Sequence, residues 1–173
     1  RQLGCVPSAA RRLEPKTAGG VTIFDDTYNM NPESARSALQ AMAGLRSGGL
    51  DDAGQRGRSI AVFGTMLELG ADSVMLHRRL GEQVFASGQD HLICVGPDAH
   101  AIAEGALAAG MRKASVECVG DIGAAHTLLR GLLRRGDRLL CKASRRVALD
   151  RLVDLLLVDL SAGDADGSAE AGS

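Results

Sequence analysis

A group of polar side chains follows the first clearly apolar run of the chain, at residues 21–24. The group holds two carboxylates, a phenol and two amides, in the order Asp25, Asp26, Tyr28, Asn29 and Asn31. Asp26 could accept hydrogen bonds from a ribose, and Asn29 or Asn31 could bind an adenine edge, because an amide offers donor and acceptor in one plane. The alternative is structural: Asp25 and Asn31 could cap a turn and the helix that Pro32 begins, which is the commoner role of these residue types.

A second polar group follows another apolar run, near the carboxyl terminus. Lys142, Ser144 and Arg145 supply two cations and a hydroxyl, a combination that suits a carboxylate ligand because arginine offers two parallel donors. A solvated turn before a basic helix start is the other interpretation of these residues. The residues alone favour neither interpretation.

The two groups can meet only if strands and helices position them, and the hydrophobic pattern predicts such an alternation. Five short apolar runs predict strands at residues 21–24, 59–64, 91–95, 115–119 and 137–142. Helical periodicity follows each of them, at residues 32–46, 72–87, 96–109, 121–133 and 146–160. The pattern predicts an α/β fold with an open, mostly parallel, Rossmann-like sheet and helices on both faces. Ligand sites in such sheets lie beyond the carboxyl ends of strands, where both polar groups would be.

A single domain accounts for most of the 173 residues. Residues 1–20 are predicted to be a connector, with at most a short strand around residues 12–14, and residues 21–160 to be the α/β domain. Residues 47–58 predict a surface loop without a chemical role. The tail 161–173 is expected to be disordered, because its composition buries too little apolar surface. Since the chain begins at Arg1 rather than Met, we expect it to be a fragment.

The composition argues against several classes of partner. A formal net charge of -1 and an aromatic content of 2% offer neither a field nor a stacking surface for nucleic acid. No apolar segment approaches the roughly 18 residues needed to span a membrane, and no secretory signal pattern is present. The four scattered cysteines are expected to be reduced and mostly buried, which indicates a cytoplasmic protein.

Several catalytic motifs are absent from the sequence. None of the three lysines follows a glycine, so the chain lacks the G-x-x-x-x-G-K-[ST] loop that cradles a nucleoside triphosphate. The sequence also lacks the glycine-rich loop of dinucleotide-binding sheets, the H-E-x-x-H zinc motif and the G-x-S-x-G nucleophile motif. The polar groups therefore resemble half of a site, with no catalytic residue and no metal ligands expected on this chain.

Three blocks of the sequence resemble the Mur ligase family and occur in that family's order. Residues 25–32 (DDTYNMNP) are similar to its D-D-S-Y-N-A-N-P block, which begins the carboxy-terminal domain. Residues 63–70 (FGTMLELG), with His77 downstream, resemble G-D-M-L-E-L-G and its following histidine, and residues 142–145 (KASR) resemble K-G-S-R. The resemblance implies the carboxy-terminal domain of an ATP-dependent ligase that adds D-alanyl-D-alanine to UDP-N-acetylmuramoyl-tripeptide in peptidoglycan synthesis.

The resemblance also implies which residues contact the nucleotide. Asp26 and Asn29 would contact ATP, together with Arg12, which is similar to an arginine that approaches the phosphates in these ligases. Asn31 is a further nucleotide-binding candidate, from its amide group alone. ATP and Mg²⁺ would be bound mainly by a central domain that this chain lacks. Without that domain the chain is not expected to catalyse ligation.

For the second substrate, the resemblance implies that Lys142, Ser144 and Arg145 hold D-alanyl-D-alanine, with Tyr28 beside them. This assignment of the dipeptide site requires that Tyr28 and Ser144, which are distant in sequence, lie on one rim of the sheet facing the missing domain. We also expect the protein to act as a monomer.

Two further candidates and three departures come from the same blocks. Glu68 and His77 are candidates, although a solitary helical histidine is more often packed than functional. Thr65 replaces an aspartate of the family and removes a charge that could orient an ammonium or a cation. Ala143 replaces a glycine and adds a Cβ where the backbone could approach a ligand. Met30 stands where alanine is usual.

Two other functions remain open at this point. One is a stand-alone, Rossmann-like module that binds a small anion. The other is the carboxy-terminal domain of a Mur ligase that adds a single amino acid or diaminopimelate. The M-L-E-L-G and N-x-N-P motifs argue against a ligase that adds a single amino acid or diaminopimelate.

Overall fold

The structure is a computed structural model that describes residues 11–45 and 57–167, with side chains described as far as residue 163. Strands and helices are taken from these ranges. They follow one another as β1 (Glu14–Ala18), β2 (Val21–Asp26), α1 (Pro32–Leu45), β3 (Ser59–Phe63), α2 (Ser73–Ala86), β4 (His91–Val95), α3 (His100–Ala109), β5 (Val116–Val119), α4 (Ile122–Leu132), β6 (Arg138–Lys142) and α5 (Leu149–Gly167).

The strands form a single six-stranded sheet in the order β1-β2-β6-β3-β4-β5. All neighbouring pairs from β2 to β5 are parallel, and β1 alone pairs antiparallel, with β2. This is the predicted open, mostly parallel α/β sheet, and that prediction is confirmed. The order places β2, β6 and β3 side by side in the centre, so their carboxyl ends share one stretch of the sheet edge.

Helices cover both faces of the sheet. Alternate strand residues such as Ala61 and Phe63 pack with α1, α2 and α3 in one core cluster. Their neighbours Ile60 and Val62 pack with α4 and α5 in a second cluster on the opposite face. Because side chains alternate across a strand, a central strand buried on both faces is apolar along most of its length, as β3 is from Ile60 to Phe63.

Helices α2 and α3 pack closely through two glycines. A Cβ placed on Gly81 would lie 1.9 Å from the carbonyl oxygen of Ile102, and one on Gly105 would lie 1.9 Å from that of Arg78. Neither glycine has the left-handed backbone that favours glycine, so the close approach of the two helices is the reason for them.

The chain boundaries differ from the predicted ones at both ends of the domain. The segment expected to be a connector contains β1, a full edge strand at residues 14–18 rather than a short one at 12–14. Helix α5 runs to Gly167 and so includes the first seven residues of the tail that was expected to be disordered. Residues 168–173, residues 1–10 and most of the predicted loop, 47–56, lie outside the described residues.

Two smaller predictions also need correction. Strand β2 continues to Asp26, so the carboxylates Asp25 and Asp26 belong to the strand rather than following it. Cys118 is exposed, whereas Cys94 and Cys141 are buried as expected, and Cys5 lies outside the described residues. No helix in the described part of the chain is both long and apolar enough to cross a membrane.

Candidate functional site at the strand ends

The two predicted polar groups meet at the carboxyl ends of β2 and β6. Asp26 lies directly beside Lys142 in the parallel pairing of these strands, and Phe63 at the end of β3 lies on the other side of Lys142. Three connecting segments leave the sheet here, at residues 27–31, 64–69 and 143–148. The rim that they form contains the residues of all three sequence blocks.

Lys142 is buried at the base of this rim. Its Nζ donates to Asp26 Oδ2 at 2.7 Å and to the carbonyl oxygen of Asn29 at 2.9 Å. The Lys142 side chain is 1% exposed and that of Asp26 is 11% exposed. A charge this deeply buried is stable only when it is paired. Because both of its acceptors lie in residues 26–29, Lys142 holds that segment in place.

The segments after β3 and β6 are joined by hydrogen bonds that continue the sheet ladder. The amide of Gly64 donates to the carbonyl oxygen of Lys142 at 3.1 Å, and that of Ser144 donates to the carbonyl oxygen of Thr65 at 3.2 Å. Ser144 Oγ accepts from the Leu67 amide at 3.0 Å. The buried Ser144 hydroxyl therefore fixes the loop after β3, and is not directed at solvent.

His77 supports the same loop from α2. It is 1% exposed, its Nε2 accepts from the Met66 amide at 2.9 Å, and its Nδ1 lies 2.7 Å from the Ser73 carbonyl oxygen. An acceptor at Nε2 and a donor at Nδ1 define one neutral tautomer. The structure therefore shows a packed histidine that positions the loop and lines neither cavity described below.

Two adjoining cavities open at the rim, of about 400 and 450 Å³, and Tyr28, Asn29 and Asn31 line both. The first, cavity A, is bounded by Arg12, Asp26, Lys142 and the first two turns of α1, where Ser34 and Ser37 lie. Leu13 and Ala38 add apolar surface to cavity A. All four residues predicted to contact a nucleotide are therefore in one cavity.

The second, cavity B, lies on the other side of Tyr28. Its charged residues are Glu68, Arg145 and Arg146, and Ser144, Met30, Leu67 and Leu69 complete its walls. All three charged residues are exposed, so the cavity presents one carboxylate and two guanidinium groups to solvent. Glu68 has a φ of 65°, a left-handed backbone that a non-glycine residue rarely adopts, and such strain is often found at ligand sites.

Tyr28 separates the cavities, with a guanidinium group near its ring from each side. The Cζ atom of Arg12 lies 5.1 Å from the ring centroid and that of Arg145 lies 5.8 Å from it. Cation–π contacts of this length are worth about 0.5–1 kcal/mol at exposed sites. The ring thus links the wall of cavity A to the wall of cavity B.

The alternative structural roles of the polar residues are also present. Asn31 Oδ1 accepts from the Ser34 amide at 2.8 Å and caps α1. Asp25 is fully buried, accepts from the Thr27 hydroxyl at 2.7 Å and pairs with Lys16 at 2.7 Å. Asp25 therefore stabilises the turn and β1, and Asn31 both caps a helix and lines the cavities.

The structure places most sequence-predicted residues on one rim but groups them differently. Tyr28 and Ser144 line the same cavity, as expected. Lys142, predicted to act beside Ser144 and Arg145, instead lines cavity A with Asp26. Ala143 is fully buried in the core cluster under α4 and α5, so its extra Cβ does not face either cavity. Sequence reasoning missed Arg146, which only the turn after β6 brings to cavity B.

An open, mostly parallel sheet with a polar rim at its carboxyl ends defines a Rossmann-like domain, a class of fold whose ligand sites lie at that edge. Comparison with known proteins specifies the family. Residues 11–145 match the sequence model of the family described as "Mur ligase, glutamate ligase domain". The chain belongs to the Mur ligase family.

Among the curated relatives is the UDP-N-acetylmuramoyl-tripeptide--D-alanyl-D-alanine ligase of Mycobacterium leprae, which is 42% identical over 160 residues, 88% of this chain and 31% of the relative. The ligase of the same description from Escherichia coli is 32% identical over 148 residues, 84% of this chain and 29% of the relative. The solved structure of a MurF ligase from Thermotoga maritima, in complex with ADP, superposes on this chain with a TM-score of 0.69 at 26% identity. The superposition covers 90% of this chain and 32% of the Thermotoga chain. The chain thus spans about a third of the length of the relatives it matches.

Proposed function

We propose that this chain is the carboxy-terminal domain of an ATP-dependent ligase that adds D-alanyl-D-alanine to UDP-N-acetylmuramoyl-tripeptide. The observation that carries the proposal is the pair of adjoining cavities at one rim. Each has the size and chemistry for one of two reactants, and they share Tyr28 as a common wall. The relatives from Mycobacterium leprae and Escherichia coli are both named as ligases with this activity.

In this proposal cavity A receives part of the nucleotide. Leu13 and Ala38 offer apolar surface to the base, and Asn29 and Asn31 offer amide groups to its edge. Asp26 gives one carboxylate oxygen to Lys142 and has its second oxygen available for a ribose hydroxyl. Arg12, exposed at the mouth of the cavity, extends toward the phosphates.

Cavity B receives the dipeptide, which carries an ammonium at one end and a carboxylate at the other. The Arg145 guanidinium pairs with the carboxylate, and Arg146 adds a second positive charge. Glu68, on the opposing loop, attracts the ammonium. The Ser144 hydroxyl, which is bonded to the Leu67 amide, acts by holding this loop rather than by binding the dipeptide directly.

The remaining chemistry belongs to the part of the ligase that this chain does not contain. Among the described residues no cluster of three His, Cys, Asp or Glu side chains is arranged to hold a metal ion. Following the family resemblance, we assign Mg²⁺ and most ATP contacts to the central domain. ATP activates the tripeptide carboxylate there. Closure of this domain then brings the dipeptide amine to the activated carboxyl, a proximity effect that can lower a barrier by about 7–11 kcal/mol. We expect a monomeric enzyme of the cytoplasm, without nucleic-acid or membrane partners.

The test is a chimeric ligase. The first two thirds of the Mycobacterium leprae relative are joined to this chain, and phosphate release from ATP is measured with UDP-N-acetylmuramoyl-tripeptide and D-alanyl-D-alanine. We expect release that requires both acceptor and dipeptide, and none from this chain alone. Activity with a single amino acid instead of the dipeptide, or turnover by the isolated chain, would contradict the proposal.

Substitutions separate the two cavities in the same assay. Arg145→Ala removes a charge-assisted contact worth about 1.5–3 kcal/mol, which corresponds to an increase of roughly 10- to 150-fold in KM for the dipeptide. KM for ATP should stay within a factor of about two. Arg151→Ala, at an exposed position on α5 that lines neither cavity, is the matched control and should change neither constant.

A further inference from the structure

Two cysteines lie side by side on neighbouring strands, away from the rim cavities. Cys94 and Cys118 are register partners in the parallel pairing of β4 and β5. Neighbouring strands are about 4.8 Å apart, and partner residues point to the same face. This separation lies within the range of about 4.4–6.8 Å that a disulfide spans between Cα atoms.

The two thiols have different surroundings. Cys94 is fully buried beneath α3, whereas Cys118 is exposed on the edge strand. The Cys94 thiol donates a hydrogen bond to the Cys118 sulfur, and the charges of His100 on α3 and Lys113 before β5 act in the same direction. Together they outweigh partial burial and lower the pKa of Cys118 to about 6. The same hydrogen bond, followed by burial, raises the pKa of Cys94.

We propose that Cys118 and Cys94 form a peroxide-reactive thiol pair, in which the exposed Cys118 is the nucleophile and the buried Cys94 resolves the product. The Cys118 thiolate attacks one oxygen of hydrogen peroxide. The S–O bond forms, the O–O bond breaks, and hydroxide leaves and takes a proton from solvent. The Cys94 thiol then attacks the sulfenic sulfur, so that an S–S bond forms and water leaves. In total two thiols lose two electrons, and one peroxide is reduced to two waters.

The pair satisfies the requirements for such chemistry better than a single cysteine does. A nucleophilic thiol must be accessible and ionised, and a resolving thiol must be close enough to trap the sulfenic acid before further oxidation. Cys118 meets the first requirement through its exposure and the Cys94 hydrogen bond. Cys94 meets the second through its place in the register. This inference does not depend on the proposed ligase function.

The experiment uses the reduced full chain treated with hydrogen peroxide at pH 7, followed by mass spectrometry without reduction. We expect the chain to lose two hydrogens, and a tryptic digest to contain residues 80–112 linked to residues 114–130. Cys94→Ser should instead stop at a Cys118 sulfenic acid that dimedone traps, and Cys118→Ser should form no disulfide. Cys141→Ser, which changes a buried thiol outside the pair, is the control and should behave as the parent.

Alkylation by iodoacetamide provides a second measurement that does not require the disulfide. The rate at Cys118 should rise with a midpoint near pH 6, and Cys94→Ala should move that midpoint toward the ordinary value of about 8.5. Circular dichroism confirms that each variant is folded. A disulfide formed mainly with Cys5 or Cys141, or an alkylation midpoint near 8.5 in the parent chain, would overturn the proposal.

Discussion

Removing the cation of the buried Asp26–Lys142 pair should destabilise the domain far more than removing an exposed one. The variant Lys142→Met keeps an unbranched apolar stem but removes the ammonium group, and so leaves the Asp26 carboxylate unpaired. Breaking a buried pair from one side costs about 3–5 kcal/mol, because the remaining charge is neither solvated nor compensated. The structure supplies the comparison: Arg78 and Glu104 also lie 2.7 Å apart, but each side chain is 56% exposed, against 1% and 11% for the buried pair.

The matched control is therefore Arg78→Met, for which we expect a loss below about 1 kcal/mol. Both variants are measured at pH 7, by urea unfolding for the free energy and by thermal unfolding for the midpoint temperature. For a chain of this size, the Lys142 substitution should lower the thermal midpoint by about 6–20 °C. Adding Asp26→Asn to Lys142→Met should recover part of the loss, because no carboxylate then remains unpaired. Equal losses for Lys142→Met and Arg78→Met would refute the assignment of a desolvated pair at the base of the rim.

Two further predictions concern the scaffold around the site. Gly81→Ala should cost roughly 1–3 kcal/mol or more, because the new methyl group meets the Ile102 carbonyl at 1.9 Å, whereas Gly131→Ala, in open space on α4, should gain up to about 1 kcal/mol. Comparable urea midpoints for the two variants would show that α2 and α3 are not in close contact. His77→Phe should cost about 1–3 kcal/mol by leaving the buried Met66 amide without an acceptor, and His77→Gln, which can still accept, should cost less. Hydrogen exchange at the Met66 amide measures this directly, and unchanged protection in His77→Phe would contradict it.

Much of the fold could be predicted because parallel strands buried on both faces are continuous apolar runs. Runs such as residues 60–63 and 92–95 stand out from the helical periodicity that follows them. Strand β1 is not visible in this way, because Pro15 and Lys16 interrupt its pattern and only its last residue is buried. An exposed edge strand tolerates proline, so its sequence resembles a connector. The extension of α5 is also hidden, because its last turns are poor in apolar residues.

The candidate site was predictable as a set of residues but not in its internal arrangement. Spacing places Lys142 beside Ser144 and Arg145, yet the strand order turns Lys142 toward Asp26 on the neighbouring strand. That order is a property of the tertiary fold, which local sequence does not specify. The helical spacing of residues 72–87 also predicts that Val74 faces inward, but Val74 is 55% exposed at the first turn of α2.

The division of the rim into two ligand cavities that meet at Tyr28 is tested most directly by an NMR titration. The ¹⁵N-labelled chain is titrated separately with ADP and with D-alanyl-D-alanine, and the amide shifts are mapped onto the structure. We predict that ADP shifts residues 12–13, Asp26, Ser34 and Ser37, and that the dipeptide shifts Met30 and residues 67–69 and 144–146. Both ligands should shift Tyr28, Asn29 and Asn31, which line both cavities. Ligands that perturb the same set of amides, or a surface away from this rim, would contradict the two-cavity assignment.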